Sequence, residues 1–173
     1  MLEALIFVVF PFCMVYAALS DIVSMTIANR ISAILLLTFA VVAPFTGMEW
    51  STYAWHFAAG GVVLLVAFGL FALGGMGGGD AKLLAATSVW MGFDQQLLGY
   101  LINSAFLGGL LTLFILLYRW SPLSARTGGN IFLRHFADEK SGVPYGIALG
   151  IGGLMAYPNS PMMLWAVSRL SVD

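Results

Sequence analysis

The chain has very little charge. Only 9% of its 173 residues are Asp, Glu, Lys or Arg, whereas soluble domains carry about 25%. Hydrophobic residues make up 61%, more than one water-soluble core can absorb, so lipid must solvate much of the chain. The net charge of −1 provides no basis for nucleic-acid binding. We predict one integral-membrane domain over residues 1–173, with membrane lipid as its surroundings.

Cysteine and histidine are also scarce. The single cysteine, Cys13, excludes an internal disulfide and a cysteine-rich zinc site, and its apolar setting predicts an inert buried thiol. The two histidines, His56 and His135, lie in different predicted segments, and we expect His56 to be a core residue bonded to a neighbour. The H-E-x-x-H and G-x-S-x-G motifs are absent. We therefore expect neither a metal site nor a cofactor.

Apolar runs separated by short polar breaks predict an all-α, polytopic bundle of about six transmembrane helices. A spanning helix requires about 20 residues, with about 17 as a lower end. The fourth and sixth runs are short unless they extend into their glycine- or proline-containing flanks, and the tail, 158–173, is too interrupted by proline to assign. The runs cover residues 2–20, 31–46, 53–73, 80–92, 96–118 and 143–157.

The first run is better explained as a retained helix than as a cleaved signal peptide. Its only early charge is Glu3, and a signal peptide begins with positive charge. The alanine-containing end of the run, "YAALS", leaves the signal-peptide alternative open.

The basic residues predict the orientation in the membrane. If the N-terminus is outside and six helices alternate, only Arg169 falls on the outer side. Because positive charge is retained on the cytoplasmic face, we expect a multi-pass protein of the cytoplasmic (inner) membrane, with Asp21 and Asp80 both on the cytoplasmic side. The inner basic residues are Arg30, Lys82, Arg119, Arg126, Arg134 and Lys140.

The only long polar segment runs from residue 119 to residue 142. Within it, "NIFLRHF" fits a short helix on the membrane surface, and it equally fits a loosely packed connector. In the helical alternative, the residues directed toward lipid are Ile131, Phe132, Leu133 and Phe136.

Five glycines precede an acid in "LGGMGGGDAKLLAA", residues 73–86. The stretch lacks the Gly-Lys-Ser/Thr ending of a phosphate-binding loop, and as G-x-G-x-x-G it places Asp80 where the third glycine belongs. Glycine allows a backbone to pass close to another group. Non-helical backbone at membrane depth is tolerated where it lines protein or a wet cavity, so we predict a site here.

Asp21 and Asp80 are the acids that this site would use. Taken singly, each has a structural explanation, Asp21 as a helix-end residue that reaches water and Asp80 as a helix N-cap. Together, on one side of the membrane, they predict a functional pair, because ionisable groups there are costly and usually functional. Two carboxylates brought close share one proton, the arrangement with which aspartic proteases activate water.

Three separated blocks resemble one family. "GGGD", residues 77–80, fits the GxGD signature of intramembrane aspartic peptidases, and "GGGDAKLLAA" resembles the type IV prepilin peptidase family, with Lys82 two positions after the acid. Asp21, followed by "TIANR", looks like the first catalytic aspartate of that family, although Ala28 replaces its usual proline. "VPYGIALGIGG", residues 143–153, resembles its Pro-Tyr-Gly-x-Ala segment.

The resemblance implies an aspartic endopeptidase that removes the leader from type IV prepilin-like precursors, with Asp21 and Asp80 as catalytic residues. The substrates implied have a basic cytoplasmic leader, a small residue before the cut and a hydrophobic helix after it. The residues that it assigns to the substrate path or to motif support are Gly77, Gly79, Lys82, Asn29, Pro144, Tyr145 and Gly146.

The short connection after the first helix differs from the pattern of many family members and indicates which branch of the family the chain resembles. Bifunctional members carry a large cytoplasmic domain after the first helix, often with paired Cys-x-x-Cys motifs, and also methylate the mature pilin. Here a short loop follows Asp21, so the chain resembles the minimal, peptidase-only branch of Flp or tight-adherence pilus systems, without methyltransferase activity. Archaeal preflagellin peptidases share the core and remain an alternative.

Two other function classes fit the residues. A small transporter or channel subunit would use Asp21 and Asp80 as proton or cation sites, with the glycines in a broken helix. A membrane assembly factor without catalytic activity is a third class. For Lys82, an anionic partner, a lipid phosphate or a role as a positive anchor on the inner side all fit.

Overall fold

All regular structure in the described part of the chain is helical. The computed structural model describes residues 1–121, 134–138 and 142–171, and its elements confirm the predicted all-α fold. In chain order the helices are α1 (Leu2–Ser24), α2 (Asn29–Val42), α3 (Trp50–Ala72), α4 (Gly78–Met91), α5 (Gln95–Trp120), α6 (Arg134–Ala137), α7 (Tyr145–Ala156) and α8 (Pro161–Leu170), with 3₁₀ turns at Ala43–Thr46 and Tyr157–Asn159.

Four helices are long and apolar enough to cross a membrane. They are α1, α2 together with its following 3₁₀ turn, α3 and α5, which have 23, 18, 23 and 26 residues. They correspond to the first, second, third and fifth predicted runs. Most of their surface faces outward rather than into the protein, as expected where lipid is the solvent.

The other two predicted spans are short helices at the centre of the bundle. α4 has 14 residues and α7 has 12; α4 takes in Gly78 and Gly79 of its glycine-containing flank but remains too short to span. At 1.5 Å per residue α4 is about 21 Å long, less than the hydrocarbon thickness of about 30 Å. α2 and α3 pack against α4, and α7 packs between α1 and α5. These two helices therefore carry their first residues into the interior of the protein.

An aromatic cluster holds the far end of α4. The ring of Trp90 lies 5.2 Å from that of Phe10, and Phe10 stacks on Tyr157 at 4.0 Å. The indole Nε1 of Trp90 donates a hydrogen bond to the carbonyl of Leu35 at 3.1 Å, and the Tyr157 hydroxyl donates to that of Ile6 at 2.6 Å. Because each buried aromatic side chain contributes about 1.5–3 kcal/mol, this end anchors α4 against α1 and α2.

His56 and Cys13 are buried core residues, as predicted. Nδ1 of His56 lies 2.7 Å from the carbonyl oxygen of Val89, so the imidazole joins α3 to the last turn of α4. Gly92 ends α4 with a φ of 69° and packs against the same ring. The histidine therefore has a structural partner in the core.

The prolines of the tail lie where proline is tolerated. Pro158 is in the second 3₁₀ turn, and Pro161 is the first residue of α8, where a missing N–H costs nothing. The Ser160 hydroxyl accepts a hydrogen bond from the N–H of Met163 at 3.3 Å. The prediction for Ile131, Phe132 and Leu133 lies outside the described residues, whereas Phe136 is part of α6.

Candidate active site

Asp21 lies in the last turns of α1 and is buried, with only 4% of its surface exposed. The explanation of this residue as a helix end that reaches water is therefore wrong. Its Oδ2 accepts a hydrogen bond from the backbone N–H of Gly146 at 2.7 Å. Gly146 is the second residue of α7, where N–H groups have no partner within the helix and favour a negative charge.

Gly146 approaches Asp21 so closely that a side chain has no room. A Cβ atom built on Gly146 would lie 2.8 Å from both Cβ and Oδ2 of Asp21, and 3.0 Å from Cδ1 of Ile27. Such distances are well inside van der Waals contact. Glycine at this position thus allows the start of α7 to reach the carboxylate.

Asp80 lies in the first turn of α4, which begins after the N-cap Gly77. Asp80 is the third residue of the helix, so the explanation of it as the N-cap is wrong. Its carboxylate instead reaches back to the backbone N–H of Gly77, the geometry of the acidic half of a capping box. A Cβ on Gly77 would lie 2.7 Å from Oδ2 of Asp80, so a side chain there would collide with the acid.

The charge of Asp21 acts on the carboxyl group of Asp80. Asp80 belongs to α4, which is not one of the four long helices. Burial and the charge of Asp21 raise the pKa of the Asp80 carboxyl from 3.8 to about 7. The hydrogen bond from Gly77 acts in the opposite direction and is the weakest of the three influences. Near neutral pH, Asp80 is therefore a carboxyl that readily holds a proton beside a second acid.

Both acids line one small pocket where α1, α2 and α4 meet. Its volume is about 280 Å³, and polar groups form much of its wall, in contrast to the apolar surface of the helices around it. Gly79 lies very close to Ile27 across this pocket, since a Cβ on Gly79 would be only 3.2 Å from Ile27. The lining residues are Asp21, Met25, Thr26, Ile27, Asn29, Gly77, Gly78, Gly79 and Asp80.

Lys82 and Asn29 form a polar pair at the edge of this pocket. Nζ of Lys82 donates a hydrogen bond to Oδ1 of Asn29 at 2.9 Å, so a neutral amide is its partner. The pair joins the first turn of α2 to the second turn of α4. It thereby helps to fix the position of Asp80 relative to the loop that carries Ile27.

Pro144 and Tyr145 position α7 and do not line the acid pocket. Pro144 is the buried N-cap of α7, and Tyr145 points to α5. There the Tyr145 ring packs against Gly108, where a Cβ would lie 2.9 Å from it, and its hydroxyl is 3.4 Å from that of Thr112. The predicted residues therefore divide into a group around the acids and a pair that holds the helix donating to Asp21.

Ile27 belongs to the site but was missed from the sequence. It is the one large aliphatic side chain in the break between α1 and α2, and it packs against both Gly79 and Gly146. Its position as a large aliphatic residue in the short break that follows Asp21 is a signal that could have identified it. Its side chain lies between the start of α4 and the start of α7, next to the two acids.

The segment between α5 and α7 also contacts the end of α1. Nε2 of His135 lies 3.0 Å from the carbonyl oxygen of Val23, two residues beyond Asp21. Arg119 donates to the carbonyl oxygens of Phe136 at 3.0 Å and Gly142 at 3.4 Å. These contacts connect α5, α6 and α1 beside the site, a connection that the polar character of residues 119–142 did not indicate.

The described residues contain no group of three or more His, Cys, Asp or Glu side chains placed to hold a metal ion. The chemistry available in the pocket is that of two neighbouring carboxyl groups, one bonded to a helix N-terminus and the other able to hold a proton. Such a pair can activate a water molecule and polarise a carbonyl group.

Comparison with known proteins identifies a family for most of the chain. The model of the type IV leader peptidase family matches residues 8–113, a range that contains Asp21 and the Gly77–Asp80 stretch and ends before α7. No curated protein and no solved structure matches the chain significantly. The family match covers more than half of the 173 residues and confirms the resemblance carried by the blocks around Asp21 and Gly77–Asp80; the third block, residues 143–153, lies outside the matched range. The chain belongs to the type IV leader peptidase family.

Proposed function

We propose that this protein is an aspartic endopeptidase that cleaves the leader from type IV prepilin-like precursors of the Flp type. The observation that carries the proposal is the presence of Asp21 and Asp80 in one polar pocket of an otherwise apolar protein. Membership of the type IV leader peptidase family supports a peptidase. Residues 1–173 form a single peptidase domain in this proposal.

The surroundings of the two acids suggest a division of labour. The N–H of Gly146 stabilises a negative charge on Asp21,, so Asp21 is the general base that takes a proton from water. Asp80, with its raised pKa, carries the proton and donates a hydrogen bond to the scissile carbonyl. The water oxygen attacks the carbonyl carbon, and the amide nitrogen leaves after it has received a proton from the pair.

The active site faces the cytoplasm in this proposal. Arg30, Lys82 and Arg119 lie at the end of the bundle that contains the acids. Arg169 is at the opposite end, where its charge acts on Glu3. This distribution of positive charge supports an outer N-terminus and a cytoplasmic position for the acid pair in the inner membrane.

Cleavage of a co-expressed Flp-type prepilin tests the proposal directly. The precursor should lose the mass of its leader when this protein is present and keep it in cells that carry an empty vector. The cleaved bond is located by mass spectrometry of the product. An uncleaved precursor, with this protein present in the membrane, would contradict the proposal.

The raised pKa of Asp80 predicts the pH dependence of cleavage. Activity requires a protonated Asp80, so the rate should fall as the pH rises through about 7,. The measurement is the initial rate of cleavage in detergent between pH 5 and 9, buffered at constant ionic strength. A rate that stays constant from pH 6 to 9 would contradict the role of Asp80 as the proton donor.

The same pKa has a consequence for stability. A carboxyl whose pKa is higher in the folded state binds its proton more tightly there, so its stabilising contribution is complete below 3.8 and is lost as the pH rises through about 7,. The melting temperature in detergent should therefore fall as the pH rises through about 7,. In Asp80→Asn, that part of the pH dependence should be missing.

Methylation of the product distinguishes a bifunctional peptidase and methyltransferase from a peptidase-only member of the family. The purified protein, incubated with precursor and S-adenosylmethionine, should release a mature pilin with an unmethylated N-terminal residue. The mass of the N-terminal peptide distinguishes the two products. A mass increase by one methyl group would contradict the peptidase-only assignment.

A further inference from the structure

A cleft whose walls contain several small residues runs along α4 between α2 and α3. Its volume is about 390 Å³. Ala33 forms part of the α2 wall, Gly61 part of the α3 wall, and Ala85 and Ala86 part of the floor. Along α2 it extends from Asn29 to Leu36, about 10 Å or two helical turns.

The small residues of this cleft are not all required by packing within the chain. A Cβ atom on Gly61 would have no heavy atom within 4 Å, so the chain itself does not demand glycine there. Small residues of this kind let the backbone of a second helix approach closely inside a membrane. The space in front of Gly61 is therefore suited to another helix.

A polar group in the cleft also lacks a partner. Ser32 is 6% exposed, and its hydroxyl makes no hydrogen bond within the described part of the chain. An unsatisfied hydroxyl in apolar surroundings is costly. In membranes, serine hydroxyls bond across helix interfaces, so rotation of the Ser32 side chain toward the cleft would give its buried hydroxyl a polar partner on a second helix. A backbone carbonyl of a helix supplies one.

The cleft is continuous with the acid pocket. Asn29 lines both cavities, and Lys82, its hydrogen-bond partner, lines the cleft. A chain that leaves the cleft at this end therefore arrives at the pocket with Asp21 and Asp80. From Asn29 the apolar part of the cleft extends along α2 and α4 toward the opposite end of the bundle.

We propose that this cleft binds the membrane-spanning helix of the precursor, along the two turns nearest the scissile bond. The inference rests on the proposed function and adds to it the place where the uncleaved substrate is held. The helix packs against Gly61 and Ala33, and Ser32, after its side chain has rotated toward the cleft, donates a hydrogen bond to its backbone. Asn29 marks the point at which the substrate leaves the helix and enters the acid pocket as an extended chain.

Crosslinking from adjacent positions tests the proposal. A photo-crosslinking amino acid replaces Leu36 or Leu64, which line the cleft, and the matched controls replace Leu37 and Leu65, their exposed neighbours outside it. The precursor is co-expressed in an Asp80→Asn background, which keeps it uncleaved. Positions 36 and 64 should crosslink to the precursor helix, and positions 37 and 65 should not. Equal yields at all four positions, or adducts to phospholipid alone, would overturn the proposal.

Filling the cleft provides a second test. A Cβ atom at Gly61 meets no heavy atom within 4 Å, so Gly61→Leu introduces no clash at that atom, and its side chain occupies the space assigned to the substrate helix. It should lower kcat/KM for the precursor by about tenfold or more, chiefly through KM. Gly69→Leu is the control, because Gly69 also lies on α3 with open space before it but lines none of the cavities described here.

The two variants distinguish failure of this inference from failure of the proposed function. If the unmodified protein cleaves no precursor, the peptidase proposal itself fails. If the unmodified protein cleaves and Gly61→Leu is as active as Gly69→Leu, with equal amounts folded in the membrane, the cleft does not hold the substrate helix and only this inference is overturned.

Discussion

Asp21→Asn and Asp80→Asn are each expected to lower the rate of leader cleavage by about 10³-fold or more, since each removes a proton-transfer group. Asparagine retains the shape of aspartate but can neither take a proton from water nor carry one to the carbonyl. Cleavage of the co-expressed prepilin, quantified by the ratio of mature to precursor protein, is the measurement.

Two further variants control for effects on folding. Asp94→Asn alters an exposed acid at the opposite end of α4, where the side chain caps the start of α5, and should leave the rate within about twofold because it is remote from the pocket. The double variant Asp21→Asn, Asp80→Asn should be no slower than either single variant, because the acids act as one unit. Full activity in a single variant, at equal membrane expression, would remove that residue from the mechanism.

Gly146→Ala is expected to lower the cleavage rate by about 100-fold, because displacement of a catalytic group by about 1 Å has an effect of this size. The new methyl group would lie 2.8 Å from Oδ2 of Asp21, so α7 must move away and its N–H must release the carboxylate. The initial rate on the prepilin, relative to the unmodified protein, is the measurement.

Gly109→Ala is the matched control for this substitution. It also introduces one methyl group into a helix, but nothing lies within 4 Å of the new atom, so the rate should be unchanged. A Gly146→Ala protein with the full rate would show that the hydrogen bond to Asp21 does not contribute to cleavage. If both variants lost activity equally, a general effect of the added methyl group would be indicated.

The long spans, the membrane setting and the family could be predicted from the sequence. Hydrophobic runs reveal a spanning helix because lipid solvates each helix surface locally, with little help from distant residues. The block from Gly77 to Asp80 and the block around Asp21 carried the family resemblance for a similar reason, since each is contiguous. The roles of α4 and α7 as short central helices were not evident, because apolar composition does not distinguish lipid from protein as the surroundings.

The arrangement around the acids was decided by tertiary structure. The hydrogen bond from Gly146 to Asp21 joins residues 125 positions apart, and the pair of Lys82 and Asn29 joins residues 53 apart. Local sequence pattern does not reveal such contacts, which follow from the packing of α7 between α1 and α5 and of α2 against α4.

The amino-acid sequence was enough to predict the residues of the proposed chemistry: two acids, the glycines beside one of them, and apolar helices suited to a membrane. The folded chain was needed to see which acid receives the N-terminus of a helix, where Ile27 lies between the two helix starts, and which glycine faces an empty cleft. The physical reason is that composition and short motifs act through the nearest residues and the solvent. Hydrogen bonds, close approaches and cavities arise between segments that meet only after the chain has folded.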